Sequence, residues 1–196
     1  MPRSPALVAL AAGVRARARI TPAHAPLALL LAIATTVVAV SQNEWTAAGS
    51  DAYAYVTQAD LLRQGRLSVP AGIPDHMPWP NALATLTPLG HGPAHGGTAL
   101  APITSPGFPL LMASAAMVAG HCAQFVVAPL AAGVLIWTTV LIGRRAGGAG
   151  LGLGAAWLVA TSPVLLLMAK SVMSDVPAAA AWATVVAAAL AAAAPP

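Results

Sequence analysis

Apolar runs of about twenty residues, with very little charge between them, constrain this chain more than any other feature. Four such runs stand out, at about 20–41, 121–142, 147–169 and 174–194. A helix needs about 20 residues to cross the hydrocarbon core of a bilayer, and each run is near that length. The sequence therefore predicts an all-α membrane protein with about four transmembrane helices. The second span follows an interfacial lead-in, so that the two together cover 106–142.

The composition agrees with a bilayer environment. Hydrophobic residues make up 58% of the chain and charged residues 7%, whereas soluble domains usually carry about 25% charged residues. The net charge of +4 does not indicate a nucleic-acid partner, because the arginines lie at the ends of apolar runs and form no basic stripe with aromatic residues. The single cysteine excludes an intrachain disulfide.

Charge also predicts the orientation, because Lys and Arg accumulate on the cytoplasmic side. A basic segment, 1–19, precedes the first span, and Arg144 and Arg145 lie between the second and third spans without any acid. With a cytoplasmic N-terminus, the outer side holds all five carboxylates and three basic residues: Glu44, Asp51, Asp60, Asp75, Asp175, Arg63, Arg66 and Lys170. The prediction is a multi-pass protein of the plasma (inner) membrane with a large extracytoplasmic loop at 42–105.

The first part of this loop has helical periodicity. Its apolar residues recur three or four apart and lie opposite a set of polar ones: Ala52, Tyr55, Val56, Ala59 and Leu62 against Thr57, Asp60 and Gln64. Ser50 is suited to cap this helix and Gly65 to end it. We expect a short amphipathic helix in the interface plane. An irregular segment rich in proline and glycine should follow from 67 to 105.

The third span carries two structural signals. Glycines at 148, 150, 152 and 154 would let a neighbouring helix approach closely. Ser162-Pro163 should kink the same helix in its outer half, because proline lacks the N–H group that a helix interior requires.

Two acids lie next to predicted span boundaries on the outer side. Asp51 follows the first span, and Asp175 opens the fourth directly after Ser174. Each acid has a structural interpretation, as a first-turn residue that the helix dipole favours. Each also has a functional one, because acids near membrane depth are costly and often mark active sites.

Basic residues offer a similar choice. Lys170 ends the third span, where its side chain either extends to the interface or neutralises a lipid phosphate. Arg63 and Arg66, which lie in the loop, could also neutralise a lipid phosphate. His76, His91 and His95 do not make a convincing metal site, because Pro93 prevents a helix from presenting two of them together and no cysteine accompanies them.

Several blocks resemble polytopic glycosyltransferases of family 39, which include protein mannosyltransferases and have the membrane-embedded GT-C fold. The blocks are 49–56 (GSDAYAYV), 65–67 (GRL), 88–90 (PLG), 105–113 (SPGFPLLMA), 161–163 (TSP) and 173–177 (MSDVP). Their order and spacing extend the resemblance from about 43 to 182. It implies transfer of a sugar from a polyprenyl-phosphate donor to a hydroxyl of a glycan, lipid or protein acceptor at the extracytoplasmic face. No cofactor is implied beyond that lipid-linked substrate.

The resemblance also implies roles for individual residues. Asp51 would accept the proton of the attacking hydroxyl, and Asp175 would orient substrate or basic groups. Lys170, Arg63 or Arg66 would stabilise the departing phosphate. Relatives often carry Tyr-Pro-Pro-Gly where this chain has 104–107 (TSPG), which removes any role of that tyrosine.

Relatives also have about twice as many spans or more, so we expect an N-terminal portion of the family fold that is inactive alone. The alternative is a non-catalytic multi-spanning membrane subunit or a transporter fragment. A transporter usually places its polar sites at mid-membrane in broken helices, whereas the acids of this chain lie at the predicted boundary.

Overall fold

The computed structural model describes residues 24–72, 76–94 and 98–193. This part of the chain is mostly helical. Its α-helices are α1 (His24–Ser41), α2 (Ser50–Arg63), α3 (Ala82–Leu86), α4 (Gly107–Ala119), α5 (Val127–Gly147), α6 (Ala149–Ala160), α7 (Pro163–Lys170) and α8 (Asp175–Ala192). A 3₁₀ helix, His121–Val126, leads into α5. The predicted basic segment 1–19, the start of the first span, Asp75, His95 and the last residue of the fourth span lie outside the described residues.

Three helical segments are long and apolar enough to cross a membrane. They are His24–Ser41, His121–Gly147 and Asp175–Ala192, and they coincide with the first, second and fourth predicted spans. The third predicted span is a pair of helices, Ala149–Ala160 and Pro163–Lys170, bent by 61°. The described residues therefore hold three such segments, or four if the bent pair is one span. The apolar lead-in is a separate helix, α4.

The break between α6 and α7 falls at the predicted proline. The Ser162 hydroxyl accepts a hydrogen bond of 3.5 Å from the N–H of Leu165, and Pro163 is the first residue of α7. Proline is tolerated at that position because its missing N–H would have no helical partner there. The predicted kink is confirmed, and it is a complete break of the helix.

The chain divides into two compact units. Among the described residues, the first unit, here called the span unit, comprises 24–42, 129–169 and 175–193. Its core contains alanines, which keep the helices close, and larger apolar residues: Ala28, Ala32, Ala39, Ala132, Ile136, Val140, Ala156, Ala160, Leu165, Ala169 and Val176. Many larger apolar side chains on these helices point outward, including Leu30, Val37 and Trp157. An outward apolar surface suits a lipid environment.

Glycine permits a close backbone contact between α5 and α6 in the span unit. A Cβ added to Gly152 of α6 would lie 2.6 Å from the carbonyl oxygen of Val140, and one added to Gly143 would lie 2.8 Å from the Cα of Gly152. Gly150 and Gly154 face open space, and Gly148 precedes α6. The predicted close packing is therefore made by one of the four glycines, Gly152, together with Gly143 of α5.

The second unit, here called the loop unit, comprises the described residues within 43–128 together with 170–174. In it α2 packs against α4 around a core formed by Ala52, Ala59, Phe108, Met112, Ala113, Phe125, Ala128 and Val172. The helix also contacts β3. Ala54 and Leu61 are buried as well, so α2 is enclosed on more than its predicted apolar side.

The segment predicted to be irregular contains a small antiparallel sheet. Its strands are β1 (Val69–Pro70), β2 (His91–Pro93) and β3 (Ala99–Pro102), in the order β1-β3-β2. Val69 pairs with Leu100, and His91 pairs with Pro102. The prediction of irregular structure is therefore wrong where these strands pair, and the protein is mostly helical rather than all-α. The predicted cytoplasmic N-terminus and extracytoplasmic loop stay predictions.

The ends of α2 test two further predictions. Gly49 is the N-cap, and the helix has no side-chain capping bond, so the predicted Ser50 cap is wrong. At the other end the N–H of Gly65 bonds the carbonyl of Leu62, and the N–H of Arg66 bonds that of Leu61. This pair of bonds is a Schellman motif, which confirms that Gly65 ends the helix.

The contact at Gly152 predicts a stability change. We expect Gly152→Ala to destabilise the protein by about 1–3 kcal/mol, because its methyl group would overlap the backbone of α5. Thermal unfolding of the detergent-purified protein, followed by tryptophan fluorescence, measures the effect. Gly150→Ala is the control, since its methyl group enters open space. Equal melting temperatures for the two variants would contradict the close contact.

Candidate functional site

Asp51 lies in the first turn of α2 and is exposed. Its carboxylate accepts a long hydrogen bond of 3.5 Å from the hydroxyl of Ser50. A carboxylate at this position is favoured by the helix dipole, and it is also open to a ligand. The exposed position of Asp51 in the first turn is therefore compatible both with an acid that only stabilises the helix and with an acid that acts on a ligand.

The other described acids differ in their partners. Glu44 lies 3.4 Å from the ammonium group of Lys170, and Asp60 lies 3.0 Å from the guanidinium group of Arg63. Asp175 is exposed in the first turn of α8. Among the described carboxylates, Asp51 and Asp175 have no ion pair. Asp51 belongs to the loop unit and Asp175 to the span unit.

The predicted basic residues fall into two groups. Lys170 is joined to Glu44 by the ion pair and by a backbone bond of 2.9 Å, from the N–H of Glu44 to the carbonyl of Lys170. Arg63 and Arg66 lie at the end of α2 opposite to Asp51. At about 1.5 Å per residue, Arg63 is ~18 Å from Asp51 along the helix axis. The structure therefore does not bring the two arginines to the turn that carries Asp51.

Residues from separate sequence blocks contact α2. A Cβ on Gly90 would lie 2.8 Å from the Cβ of Ala54 and 3.0 Å from the carbonyl oxygen of Ser50, so the 88–90 block packs directly on the first turn. Phe108, from the 105–113 block, meets the ring of Tyr55 edge to face at 5.2 Å. Ser174, from the 173–177 block, shares a hydrogen bond of 2.9 Å with the Tyr55 hydroxyl. Blocks far apart in the sequence therefore converge on one helix.

The face of α2 that carries Asp51 also carries two other polar side chains. Tyr55 and Gln58 follow Asp51 by four and seven residues, which places all three on one side of a helix. Tyr55 bonds Ser174, and Gln58 accepts a hydrogen bond of 2.7 Å from the Thr104 hydroxyl. This row was not predicted, because the helical spacing placed Tyr55 on the apolar side of α2. Polar groups at 51, 55 and 58 were the signal that could have revealed it.

A second polar cluster lies near the far end of α2 and was also missed. His121 Nδ1 lies 3.6 Å from Asp60, and the amide nitrogen of Gln124 lies 3.1 Å from the His121 ring. Gln124 is 1% exposed, and its amide oxygen has no hydrogen-bond partner. The sequence could not reveal this cluster, because Asp60 and His121 are 61 residues apart and neither belongs to a motif.

No group of three or more His, Cys, Asp or Glu residues suited to a metal ion occurs in the described ranges. His91 is buried on β2, where its ring lies 5.3 Å from that of Tyr53. His95 lies outside the described residues. Cys122, which is exposed, is a free thiol.

Comparison with known proteins assigns neither a family nor a function to the chain. No protein-family model, curated protein or solved structure matches the chain.

The contact between Gly90 and α2 predicts that Gly90→Ala destabilises the loop unit. The new methyl group would collide with Ala54 and Ser50, and Gly90 has φ = +82°, where side chains are strained. We expect a loss of about 1–3 kcal/mol, measured by thermal unfolding and by limited proteolysis of the 64–106 segment. Gly107→Ala, which meets no atom within 4 Å, is the matched control. Equal protease resistance in both variants would show that the block does not hold α2.

Proposed function

We propose that this chain is a membrane glycosyltransferase, or the N-terminal portion of one, that uses a polyprenyl-phosphate-linked sugar as donor. The observation that carries the proposal is the convergence of the 88–90, 105–113 and 173–177 blocks on α2. The exposed end of that helix presents Asp51, a carboxylate without an ion pair among the described residues. A carboxylate held in this way is suited to accept a proton from a bound hydroxyl group.

The reaction needs one base and a good leaving group. The acceptor oxygen attacks the anomeric carbon and gives its proton to Asp51. The bond between the anomeric carbon and the phosphate oxygen breaks, and the polyprenyl phosphate leaves with the bonding electrons. Because phosphate leaves readily, no second carboxylate is required as an acid, in contrast to glycoside hydrolases. Asp51 then returns its proton to water.

Lys170 is the basic residue that we assign to the departing phosphate. It lies four residues before Ser174, which bonds Tyr55 on the face of α2 that carries Asp51. The Glu44 carboxylate lies 3.4 Å from the ammonium group of Lys170. A phosphate must therefore compete with Glu44, and both side chains are about one-third exposed, so the exchange requires little desolvation.

The proposed acceptor is a hydroxyl of a glycan, lipid or protein at the extracytoplasmic face of the plasma (inner) membrane. Asp51 follows the end of the first apolar helix by ten residues, which suits a site at the membrane surface. A lipid-linked donor would present its sugar at this level while its hydrocarbon chain stays in the bilayer.

Asp51→Asn tests the assignment of the base. We expect sugar transfer to fall by about 10²–10⁴-fold, with expression and melting temperature unchanged, because the side chain is exposed. The full-length protein in native membranes is incubated with a panel of undecaprenyl-phosphate-linked hexoses and pentoses, and release of undecaprenyl phosphate is measured. Asp60→Asn is the control acid, since it is ion-paired at the other end of α2. Normal transfer by Asp51→Asn would refute the assignment.

We further infer that α6 and α7 are two halves of one membrane crossing. The Arg145 guanidinium group, near the end of α5, donates a hydrogen bond to the carbonyl of Leu190, near the end of α8. The two helices therefore end on the same side. Since α8 is an 18-residue helix of ~27 Å, it is long enough to begin on the opposite side of the membrane. Because α7 precedes α8, the chain must reach that side by the end of α7.

Cysteine labelling tests this crossing. Cys122→Ser removes the single cysteine of the chain, and Ala146→Cys, Met173→Cys or Ala193→Cys is then introduced one at a time. With a membrane-impermeant maleimide applied to spheroplasts and to inverted vesicles, we expect 146 and 193 to label from one side and 173 from the other. Labelling of 146 and 173 from the same side would show a re-entrant pair.

A further inference from the structure

We propose that the hydroxyl pair of Tyr55 and Ser174 binds a hydroxyl group of the sugar substrate next to Asp51. This inference rests on the proposed function and extends it to residues for which the sequence analysis gave no binding role. The two hydroxyl oxygens lie 2.9 Å apart although the residues are 119 positions apart in the chain.

Tyr55 lies one helical turn after Asp51 on the same face of α2. Residues four apart on a helix are neighbours, with Cβ atoms about 5–6 Å apart. A sugar whose anomeric carbon lies at the Asp51 carboxylate spans roughly that distance, so its ring hydroxyls reach the level of Tyr55. Gln58, one further turn along the same face, is held at its amide oxygen by Thr104 at 2.7 Å.

The Tyr55 side chain is held in place at both its ring and its hydroxyl group. Its ring packs edge to face against Phe108 at 5.2 Å, and its oxygen is fixed by Ser174. A polar group held by packing on one side and by a hydrogen bond on the other has little conformational freedom left to lose on binding.

The hydrogen-bonding capacity of the pair points to a carbohydrate. Two hydroxyl groups have two donor hydrogens, and the bond between them uses one. One donor hydrogen and several lone pairs remain for a ligand. A sugar hydroxyl both donates and accepts, and therefore matches this combination.

Tyr55→Phe tests the inference, because it removes the hydroxyl and keeps the ring against Phe108. We expect the KM for the undecaprenyl-phosphate-sugar donor to rise about tenfold, with kcat nearly unchanged, since a bond made equally in ground and transition states changes KM alone. Tyr53→Phe is the matched control. It also removes a tyrosine hydroxyl from α2, but it lies two residues from Asp51 and hence on another face of the helix.

Ser174 supplies a second, independent measurement. Ser174→Ala should raise KM, whereas Ser174→Thr, which keeps a hydroxyl, should restore it. The double variant Tyr55→Phe/Ser174→Ala should resemble Tyr55→Phe, because the two hydroxyls act as one unit. An unchanged KM in Tyr55→Phe, with a lowered melting temperature, would overturn the inference and leave the pair as a structural tie.

The two proposals fail in different ways. If Asp51→Asn abolishes transfer while Tyr55→Phe keeps the wild-type KM, the glycosyltransferase proposal stands and the hydroxyl-pair inference falls. If Asp51→Asn transfers sugar normally, the base assignment falls, whatever Tyr55→Phe does. If the wild-type protein releases no undecaprenyl phosphate from any donor of the panel, both proposals are overturned.

Discussion

The loop unit depends on small side chains along α2. Ala54 and Ala59 are completely buried, and Ala52 is 2% exposed. Methyl groups at these positions let α4, the 88–90 block and β3 approach the helix backbone, because a larger side chain would hold each of them away. Once α2 is enclosed in this way, packing within the loop unit fixes its orientation. Asp51 can then remain solvated at the exposed end of a helix that is otherwise held firmly.

The sequence predicted most accurately those features that depend on local chemistry. The apolar run at 121–142 corresponds to His121–Gly147, and the run at 174–194 corresponds to Asp175–Ala192. Pro163 interrupts its helix because proline removes a backbone donor, a property that needs no tertiary information. Gly65 ends α2 for an equally local reason, since the Schellman bonds close within five residues of the chain.

Features that depend on distant partners were missed. The strands of the small sheet are two to four residues long and pair through registers such as Val69 with Leu100, so periodicity within the 67–105 segment contains no sign of them. The role of Tyr55 likewise depends on a residue far along the chain and leaves no local sequence pattern. Its helical spacing placed it on the apolar side, which is correct for the ring against Phe108. Tyrosine also has a polar end, and its partner Ser174 lies 119 residues away.

Ion pairing distinguishes Asp51 from Glu44 and Asp60. Glu44 and Asp60 are each held by a basic side chain, so a proton transferred to either would first weaken an existing attraction. Asp51 loses no ion pair when it accepts a proton, and water and the helix terminus stabilise its charge until then. In the proposed reaction the departing phosphate would carry its negative charge readily, so the transfer would depend more on the groups that position the sugar than on the base.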